Sequence, residues 1–427
     1  MPRDTILSID LGTSACKAVL FDLAGQALAV ASAEYPTYYP QPLWAEQAPE
    51  DWWSSALTAA RQCLARQPAV KVIAIGLSSQ RETIAPLDAA GGVLARAISW
   101  MDKRSNPQAE QLAQEFGQDE VRRRTGMRCE STFTATKLLW LKQHQPELLW
   151  QSALLLQPRD FLYLRLTGMA VTDYTLASRT MLLDAVRQTW CEDLMAFVGV
   201  KPDQFPPLHY SDEAPGGLCG EAAAQLDLLG GTPVAVGAGD RACENLGAGG
   251  RLGRLVESTG TTTSLHTPLA TYPQPDQRVP CSVHALRGHW LLETGLAASG
   301  SILRWYRDLV GAGDYQSLDQ LASQVPPGAR GVILLPFLMG AKSAHPNPQA
   351  RGVLAGLTLG TDRGVLARAV MEGVAMEIHA VLQVFATLGV EPAEIISVGG
   401  GSKPLWNAIK ANITGRRVVR PAQADAA

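Results

Sequence analysis

The first apolar runs of the chain enclose a short turn. Residues 6–9 are mostly apolar and lead to Asp10, and residues 18–21 are apolar again. Short apolar runs that are bounded by turn residues are typical of buried strands. Between them stands the sequence GTS at residues 12–14, whose small side chains favour a tight turn. The pattern therefore predicts two buried strands joined by a turn.

The rest of the first half alternates between strand and helix patterns. Residues 27–32 are predicted to continue the sheet as a third antiparallel strand. A helix over residues 50–66 is indicated by one apolar face and by Pro49 at its start. The other elements that we predict here are strands at residues 72–77, 83–87 and 232–236, a helix at residues 134–144, and a helix that Asp240 opens.

The second half repeats this order. Residues 255–265, LVESTGTTTSL, predict a second strand–turn–strand unit about half the chain after the first. The remaining predicted elements are strands at residues 290–293, 332–335 and 395–398, and helices at residues 299–309, 361–388 and 406–413. We therefore expect two related α/β lobes, residues 1–247 and 248–427, with the actin-like (ribonuclease H-like) ATPase fold around a central cleft. The glycine-rich segment 247–253 is the expected link between the lobes.

Both predicted turns have the chemistry of a phosphate site. Backbone N–H groups and hydroxyls of a tight turn can bind a phosphate, and glycine lets the anion approach the backbone. Asp10 would reach a metal ion that the phosphate carries, and Lys17 adds a cation nearby. The alternative is an ordinary buried hairpin in which Asp10 caps the turn. The second turn, with Gly260 and Thr261, favours the phosphate interpretation, because a nucleotide with several phosphates would use both turns.

Asp240 is the candidate general base. It lies in GAGDRA, residues 237–242, between a predicted strand and a predicted helix. A carboxylate in such a turn can accept the proton of an attacking hydroxyl, which contributes roughly 10²–10⁴-fold in rate. The alternative is an aspartate that caps the helix. The likeness of this stretch to a dinucleotide-binding fingerprint is too short to favour that function.

Three other stretches are candidates for ligand binding. Arg81 and Glu82 in SSQRET could each make paired hydrogen bonds to the neighbouring hydroxyls of a polyhydroxylated substrate. WMDKR adds the aromatic face of Trp100 and the carboxylate of Asp102. The alternative for both stretches is a surface salt-bridge cluster. GGGSK at residues 399–403 would let a flat ring or a ribose lie against the backbone, or would be a flexible link.

Length and composition limit the classes of function. The chain has 427 residues, 46% of them hydrophobic and 18% charged, which is typical of a globular protein with two domains. A net charge of −3 gives no basic surface for nucleic acid or an anionic membrane. The seven cysteines are scattered without a CxxC pair, which favours a reducing compartment over a zinc site or a disulfide framework. With no signal peptide and no long apolar run, we expect a cytoplasmic protein whose partners are small molecules.

Together, these motifs resemble the FGGY carbohydrate kinases. DLGTS, KLLWLKQ, GAGD, TGTTT and GGGSK occur in the order of that family over nearly the whole chain, and GVLAGLTLG before a long helix resembles its second signature. The resemblance implies transfer of the γ-phosphoryl group of Mg²⁺-ATP to a sugar or polyol hydroxyl. It implies that Asp240 is the general base and that Asp10 and Asp240 lie beside the metal ion.

The resemblance also implies roles for the other candidates, and it allows a homodimer. The residues implied to bind the phosphates and the rest of the nucleotide are Thr13, Ser14, Lys17, Gly260, Thr261, Gly300, Gly400 and Gly401. The residues implied to face the acceptor are Arg81, Glu82, Trp100, Asp102, Asp240 and Arg241. Phosphoryl transfer depends mainly on positioning and charge neutralisation, which such a set can supply.

The acceptor expected from the resemblance is a ketose or polyol of about pentose size, xylulose-like. QRET and WMDKR resemble glycerol kinases, whereas DLGTS and the stretch WAEQAPEDWW resemble xylulokinases. Glycerol kinases usually have a tyrosine five residues before the lysine of KLLWLKQ; here that residue is Thr132, which leaves space for a larger acceptor. The alternatives are a glycerol or other polyol kinase and, in another class, a catalytically impaired sugar or nucleotide sensor. An actin-like chaperone or filament protein would not need QRET beside a small-molecule site.

Two departures from the family pattern affect these expectations. The last predicted helix has Asn412 where the family usually has an aspartate. Family members also continue through further helices after the last strand, whereas this sequence ends soon after Val418 and Val419. From the second departure we expect a truncated C-terminal lobe with an exposed apolar face and weakened nucleotide binding.

Overall fold

The computed structural model describes residues 3–274 and 276–421 and divides into two compact units. Unit 1 contains residues 1–243 and 282–289, and unit 2 contains residues 244–281 and 290–427. The first division falls inside a helix, Asp240–Gly247, and the segment 247–253 begins at the last residue of that helix. The assignment of residues 282–289 to unit 1 is a feature that no sequence pattern indicated.

Unit 1 contains one large mixed sheet and several short strands. The strands are β1 (Arg3–Leu11), β2 (Ala15–Asp22), β3 (Ala27–Glu34), β4 (Glu46–Gln47), β5 (Val70–Ser79), β6 (Ala85–Leu87), β7 (Ala97–Ile98), β8 (Leu154–Leu156), β9 (Thr172–Asp173), β10 (Leu183–Asp184), β11 (Thr189–Trp190), β12 (Leu208–His209), β13 (Gly216–Gly217), β14 (Pro233–Val234) and β15 (Ala238–Gly239). The large sheet has the order β13-β14-β5-β1-β2-β3, and β15 also pairs with β5. β1 pairs antiparallel with β2 and parallel with β5, so the first hairpin is followed by parallel strands.

The helices of unit 1 pack on this sheet and form a second core beside it. They are α1 (Pro49–Ala65), α2 (Asn106–Leu112), α3 (Gln118–Thr125), α4 (Thr134–His144), α5 (Pro146–Gln151), α6 (Pro158–Thr167), α7 (Tyr174–Ser178), α8 (Glu192–Val198), α9 (Gly220–Leu226) and α10 (Asp240–Gly247), which continues into unit 2. α1 begins at Pro49, with Glu50 and Asp51 in its first turn, where acidic residues favour a helix start. The core under the sheet includes buried residues of β1, β2, α1 and α6, and the second core includes buried residues of α4 and α8.

Unit 2 repeats the sheet of unit 1. Its strands are β16 (Arg254–Thr259), β17 (Thr263–Leu269), β18 (Cys281–Val283), β19 (Trp290–Leu296), β20 (Ile333–Leu335), β21 (Val353–Ala355), β22 (Glu394–Val398) and β23 (Arg417–Val419), and its further helices are α11 (Gly300–Leu309), α12 (Tyr315–Ser323), α13 (Arg363–Thr387) and α14 (Pro404–Thr414). Of β18, Cys281 belongs to unit 2 and the other two residues to unit 1. The sheet order is β18-β19-β17-β16-β22-β23. The segment β19-β17-β16-β22-β23 has the same order and directions as β3-β2-β1-β5-β14 of unit 1: two antiparallel pairings and then two parallel ones. The internal repeat that the two hairpins indicated is therefore confirmed.

Most predicted elements form, and the strands predicted at residues 83–87 and 232–236 are much shorter than expected. The helix at residues 134–144 is confirmed at both ends. The strand predicted at 83–87 begins only at Ala85, because Glu82 adopts a left-handed backbone conformation with φ +63° and turns the chain. The strand predicted at 232–236 covers only Pro233–Val234, because Gly237 has φ +76°. No helix in the described parts of the chain is both long and apolar enough to cross a bilayer.

Lys137 is a fully buried cation of α4, in the second core of unit 1. Its ammonium donates to the carbonyl oxygens of Ser131, at 2.9 Å, and Thr132. Burial lowers the pKa of Lys137 to about 7, although the charges of Glu82 and Asp102 oppose this effect. The unfolded chain therefore binds this proton more tightly than the folded chain does. Between pH 7 and pH 10 the contribution of Lys137 to stability rises with pH.

We expect the rise in stability with pH that Lys137 contributes to be absent in the variant Lys137→Met. The melting temperature of the wild type should increase relative to that of the variant when the pH is raised from 7 to 9.5. Thermal unfolding followed by circular dichroism at several pH values measures this difference. Lys142→Met is the matched control, because Lys142 is on the same helix with an exposed side chain. An equal pH dependence in wild type and Lys137→Met would contradict a lowered pKa at Lys137.

Candidate active site

Three parallel strands of unit 1 end at the same edge of the sheet, and they bring Asp10 and Asp240 there. Asp10 of β1 lies opposite Ser78 of β5, and Gly239 of β15 lies opposite Ser79 on the other side of β5. Neighbouring strands are about 4.8 Å apart, so the backbones at Asp10 and Asp240 are separated by roughly 10 Å.

The thiol of Cys243 is influenced by the charged groups at this edge of the sheet. Burial raises the pKa of the Cys243 thiol to about 12, and the carboxylates of Asp10, Asp173 and Asp240 act in the same direction. The charges of the two predicted carboxylates, Asp10 and Asp240, therefore act on one and the same thiol. Such a thiol stays protonated near neutral pH, and it has no nucleophilic character there.

The turn before Asp240 is built from glycines that no other residue could replace without movement. A Cβ atom at Gly237 would lie 2.0 Å from the carbonyl oxygen of Leu77 on β5. A Cβ atom at Gly239 would lie 2.5 Å from Cδ of Arg81, which shows that the Arg81 side chain passes directly over Gly239. The two glycines thus allow the turn to lie against β5 and under Arg81.

Asp240 is held at one oxygen and partly open to solvent. Its Oδ1 accepts the backbone N–H of Arg241 at 2.7 Å and pairs with Nε of Arg81 at 2.8 Å. The Asp240 side chain is 40% exposed, whereas that of Arg81 is 10% exposed. A helix cap would accept the N–H of the second or third helical residue, whereas this bond goes to the next residue, and the helix already includes Asp240. The carboxylate stays accessible, as a catalytic role requires.

Glu82, predicted to face the acceptor, has its carboxylate inside unit 1. The side chain is buried, and its Oε1 lies 2.5 Å from Nε of Arg179. Its backbone N–H donates to Oε1 of Gln157 at 3.0 Å, and its carbonyl oxygen accepts the hydroxyl of Thr134 at 3.1 Å. These contacts hold Glu82 in its left-handed conformation, next to Arg81.

Asp102, the other carboxylate predicted beside the acceptor, has no exposed surface. It accepts the backbone N–H of Ala45 at 2.6 Å and pairs with the guanidinium of Arg104 at 2.8 Å. Arg104 lies over the ring of Trp44, with 3.6 Å between the guanidinium carbon and the ring centroid. Glu82 and Asp102 do form ion pairs, as the alternative interpretation expected, but the pairs are buried and not on the surface.

The turn of the first hairpin, residues 12–14, is fixed by side chains from three other segments. The Tyr35 hydroxyl donates to the carbonyl oxygen of Gly12, and the Gln47 amide donates to that of Thr13 at 2.8 Å. The indole N–H of Trp100 donates to the hydroxyl oxygen of Thr13 at 3.0 Å. An indole can only donate, so the Thr13 hydroxyl keeps its own proton for an acceptor such as a phosphate oxygen.

The other two predicted phosphate residues of unit 1 flank this turn. Ser14 is exposed at the tip, and Lys17 lies directly opposite Asp10 across the two antiparallel strands. Since Trp100 also contacts Thr13, the structure brings one predicted acceptor residue and the phosphate turn together. Tyr35, Gln47 and Gln80, which form a buried hydrogen-bonded group under the turn, were missed. The sequence does not indicate that Gln80 of SSQRET is buried, because this depends on the burial of the end of that strand.

The five predicted nucleotide residues of unit 2 lie together around the second turn. A Cβ atom at Gly300 would lie 2.1 Å from the carbonyl oxygen of Gly260, and one at Gly401 would lie 2.2 Å from Cγ2 of Thr259. Thr261 is exposed, and its carbonyl oxygen accepts the N–H of Ser301 at 3.1 Å. Gly260 and Gly400 are exposed as well, and a Cβ atom at either would meet open space. Two glycines therefore serve close packing, and two leave room for a ligand.

A buried ion pair supports this second turn and was also missed. Nζ of Lys410 lies 2.9 Å from both carboxylate oxygens of Glu257, and neither side chain has exposed surface. Glu257 also accepts the hydroxyls of Thr259 and, at 2.6 Å, Ser397. Since a buried charge needs a partner, the pair fixes Thr259 and hence the strand that leads into the turn.

Gly300→Ala tests the packing of α11 on the second turn. The added methyl group cannot fit 2.1 Å from the carbonyl oxygen of Gly260, so the turn has to move. We expect the affinity for ATP to fall ~10-fold, which corresponds to about 1.4 kcal/mol, with sugar binding unchanged. Isothermal titration with each ligand measures this. Gly313→Ala is the control, because a methyl group there meets open space; equal ATP affinities for the two variants would contradict the assignment.

The residues of unit 1 fit a magnesium ion that arrives with a phosphate. Mg²⁺ usually binds proteins through one or two carboxylates and completes its shell with water and substrate phosphates. Among residues 3–274 and 276–421, no group of three or more His, Cys, Asp or Glu side chains could hold a metal ion. A site of Asp10 and Asp240 next to the phosphate turn agrees with that requirement. The second hairpin has Ser258 at the position of Asp10, so only the first can contribute a carboxylate.

Comparison with known proteins identifies the family. Residues 5–247 match the N-terminal domain, and residues 255–427 match the C-terminal domain, of the FGGY family of carbohydrate kinases. The chain is 33% identical over 421 residues to the xylulose kinase of Escherichia coli, covering 96% of this chain and 85% of that protein. It is 32% identical over 447 residues to the glycerol kinase of Alkalilimnicola ehrlichii, covering 99% of this chain and 87% of that protein.

A solved structure agrees with this assignment. The crystal structure of a xylulose kinase from Brucella ovis superposes with a TM-score of 0.92 at 32% identity, covering 99% of this chain and 87% of that one. The two mixed-sheet units are therefore the actin-like ATPase lobes that the repeated hairpins predicted. The chain belongs to the FGGY family of carbohydrate kinases, enzymes that use ATP and transfer a phosphoryl group to an alcohol.

Proposed function

We propose that this kinase transfers the γ-phosphoryl group of Mg²⁺-ATP to a hydroxyl of a small ketose or polyol, with Asp240 as the general base. The observation that carries the proposal is the Arg81–Asp240 pair at 2.8 Å, at the sheet edge that Asp10 shares. This arrangement supplies an oriented and partly exposed carboxylate beside a position for the metal ion. A sensor without turnover would not need that combination.

The proposed base accepts the proton through its second carboxylate oxygen. Oδ1 of Asp240 already accepts two hydrogen bonds, from Arg241 and Arg81, so we assign proton acceptance to Oδ2. The acceptor hydroxyl gives its proton to Oδ2 as its oxygen attacks the γ-phosphorus and ADP leaves.

The γ-phosphate of ATP is assigned to the first turn. Thr13 and Ser14 would donate their hydroxyl protons to the γ-phosphate, and Lys17 would add positive charge. The remaining nucleotide contacts are assigned to Gly260, Thr261, Gly300, Gly400 and Gly401. Mg²⁺, held by Asp10 and Asp240, would neutralise charge on the phosphate oxygens.

The acceptor is assigned to the exposed parts of the first unit's site. Arg81, Trp100 and Arg241 would contact the hydroxyls and carbon face of the sugar directly. Glu82 and Asp102 would act at one remove, because their carboxylates hold Arg179 and Arg104 in buried pairs. Thr132 supports an acceptor larger than glycerol. Its hydroxyl accepts a hydrogen bond from Lys103 of WMDKR at 3.3 Å, which places it beside the predicted acceptor stretch.

The relatives leave three acceptor classes to compare: xylulose, gluconate and glycerol. A coupled assay of ADP release with each of these acceptors, and with other pentuloses and polyols, tests the proposal. We expect the largest kcat/KM with a pentose-sized ketose such as xylulose. A largest kcat/KM with glycerol or gluconate would replace the proposed acceptor, and ATP turnover that no acceptor stimulates would contradict the function.

Thr132→Tyr tests the role of this position in acceptor size. The larger side chain should lower kcat/KM for xylulose relative to that for glycerol, by ~10-fold, since rejecting an extra group by steric contact is worth about 1–3 kcal/mol. Thr132→Ser, which changes the volume little, is the control and should keep the wild-type ratio. An unchanged or opposite ratio in Thr132→Tyr would show that Thr132 does not line the acceptor site.

A further inference from the structure

The short helix α7 contacts both segments that carry the proposed acceptor residues of unit 1. It is capped by Asp173, whose carboxylate accepts the backbone N–H groups of Thr175 at 3.0 Å and Leu176 at 3.2 Å. Four buried polar residues in or around this helix have no role assigned at the phosphate or the acceptor: Arg159, Asp173, Thr175 and Arg179. Their partners show what the helix holds.

Thr175 contacts the turn that precedes the proposed base. Its side chain is 3% exposed, and its hydroxyl oxygen accepts the N–H of Gly239 at 2.9 Å. Gly239 is itself buried and directly precedes Asp240. The orientation of the peptide group between Ala238 and Gly239, one residue before the base, therefore depends on the oxygen of Thr175.

Arg159 ties the start of the same turn to α7. Its fully buried guanidinium donates to Oδ1 of Asp173 at 2.8 Å and to the carbonyl oxygen of Val236 at 3.0 Å. Oδ2 of Asp173 accepts the hydroxyl of Ser211 at 2.7 Å, and the carbonyl oxygen of Ser211 accepts the N–H of Gly237 at 2.9 Å. Both ends of the turn are thus attached to one helix.

The other end of α7 holds the partner of the base. Arg179, which follows the helix, pairs with Glu82 at 2.5 Å, and Glu82 is the neighbour of Arg81. Arg81 in turn pairs with Asp240. One short helix therefore positions both members of the Arg81–Asp240 pair, through Thr175 on one side and through Arg179 on the other.

We propose that Thr175 is a positioning residue for Asp240: its hydroxyl holds the turn so that the carboxylate stays paired with Arg81 and aligned with the acceptor hydroxyl. This inference rests on the proposed function, because Asp240 is the base of that reaction. Without the hydroxyl, the buried N–H of Gly239 loses its acceptor, and the turn shifts to reach another one. A displacement of about 1 Å at a reacting group can lower the rate ~10²-fold.

The first test compares Thr175→Val with Thr175→Ser, which keeps the hydroxyl. We expect kcat to fall ~10–100-fold in Thr175→Val and to stay within about threefold of wild type in Thr175→Ser, with the KM for sugar within about threefold in both. Thr167→Val is the matched control, since the Thr167 hydroxyl also accepts a backbone N–H, that of Met169, but at the far end of α6 from Arg159. Wild-type kcat in Thr175→Val, or a serine variant as slow as the valine variant, would overturn the proposal.

A double-mutant cycle separates positioning from a general loss of structure. If Thr175 acts through Asp240, Thr175→Val combined with Asp240→Asn should be as slow as Asp240→Asn alone. If the two substitutions lowered kcat independently, so that their effects multiplied in the double variant, the positioning role would be overturned. If Thr175→Val does not fold, Thr175→Ala and Thr175→Ser carry the same test, because both lack the methyl group and only the serine keeps the hydroxyl.

The same experiments distinguish this inference from the proposed function. A slow Asp240→Asn with a fully active Thr175→Val removes only the positioning role of Thr175. A fully active Asp240→Asn removes Asp240 as the base, and the positioning role fails with it.

Discussion

Replacing Asp240 with asparagine is expected to lower kcat by ~10²–10⁴-fold, the range that a positioned general base contributes. The amide has the size of the carboxylate and can still accept from the N–H of Arg241, but it cannot take the proton of the acceptor hydroxyl. The KM for sugar should change much less, because binding of the ground state does not need the proton to move. Steady-state kinetics with saturating Mg²⁺-ATP measure both constants.

The control for this variant is Asp119→Asn. Asp119 has an exposed carboxylate on the surface of α3, which pairs with Arg122 at 2.8 Å. Its kcat should equal that of the wild type, since exposed ion pairs contribute little. If Asp240→Asn retained wild-type kcat, Asp240 would not be the base, and another group would have to take the proton.

Asp10→Asn is expected to weaken the use of Mg²⁺-ATP while sugar binding stays intact. An amide oxygen is a poorer ligand for Mg²⁺ than a carboxylate, and it does not offset the positive charge of the metal ion. We expect kcat/KM for Mg²⁺-ATP to fall ~10²-fold, which corresponds to about 2.7 kcal/mol. Kinetics at several Mg²⁺ concentrations give this value, and isothermal titration gives the sugar affinity separately.

Asp4→Asn is the matched control for Asp10, since Asp4 is an exposed aspartate on the same strand, β1. It should leave both affinities unchanged. Loss of sugar affinity in Asp10→Asn with retained ATP affinity would reverse the assignment, and Asp10 would then belong to the acceptor.

The repeated hairpin was the part of the fold that the sequence made most visible. GTS at residues 12–14 and GTT at residues 260–262 both separate two short apolar runs, so the period and the turn chemistry agreed at both places. The structure gives the two turns the same three-residue length, and five strands of each sheet have the same order. Such local agreement is why a fold class could be predicted without any contact information.

The sequence predicted the parts of the site whose geometry follows from a local motif. It did not predict the parts that depend on which side chains are buried and paired. The glycines around Asp240 have steric reasons that a sequence motif preserves, since a side chain at Gly237 would overlap Leu77. The burial of Glu82 and Asp102 depends on Arg179 and Arg104, and pairing partners cannot be read from the local pattern. The helix α7 was not predicted for a different reason: with five residues, it is too short to show helical periodicity.

The central claim is that a sugar hydroxyl receives the phosphoryl group with Asp240 as base, and product stoichiometry tests it most directly. Phosphorus NMR of a reaction with ATP, Mg²⁺ and xylulose should show one sugar phosphate formed for each ADP in the wild type. In Asp240→Asn both products should fall together by at least ~10²-fold. ADP and inorganic phosphate without a sugar phosphate, or equal sugar phosphate formation in wild type and Asp240→Asn, would contradict the account.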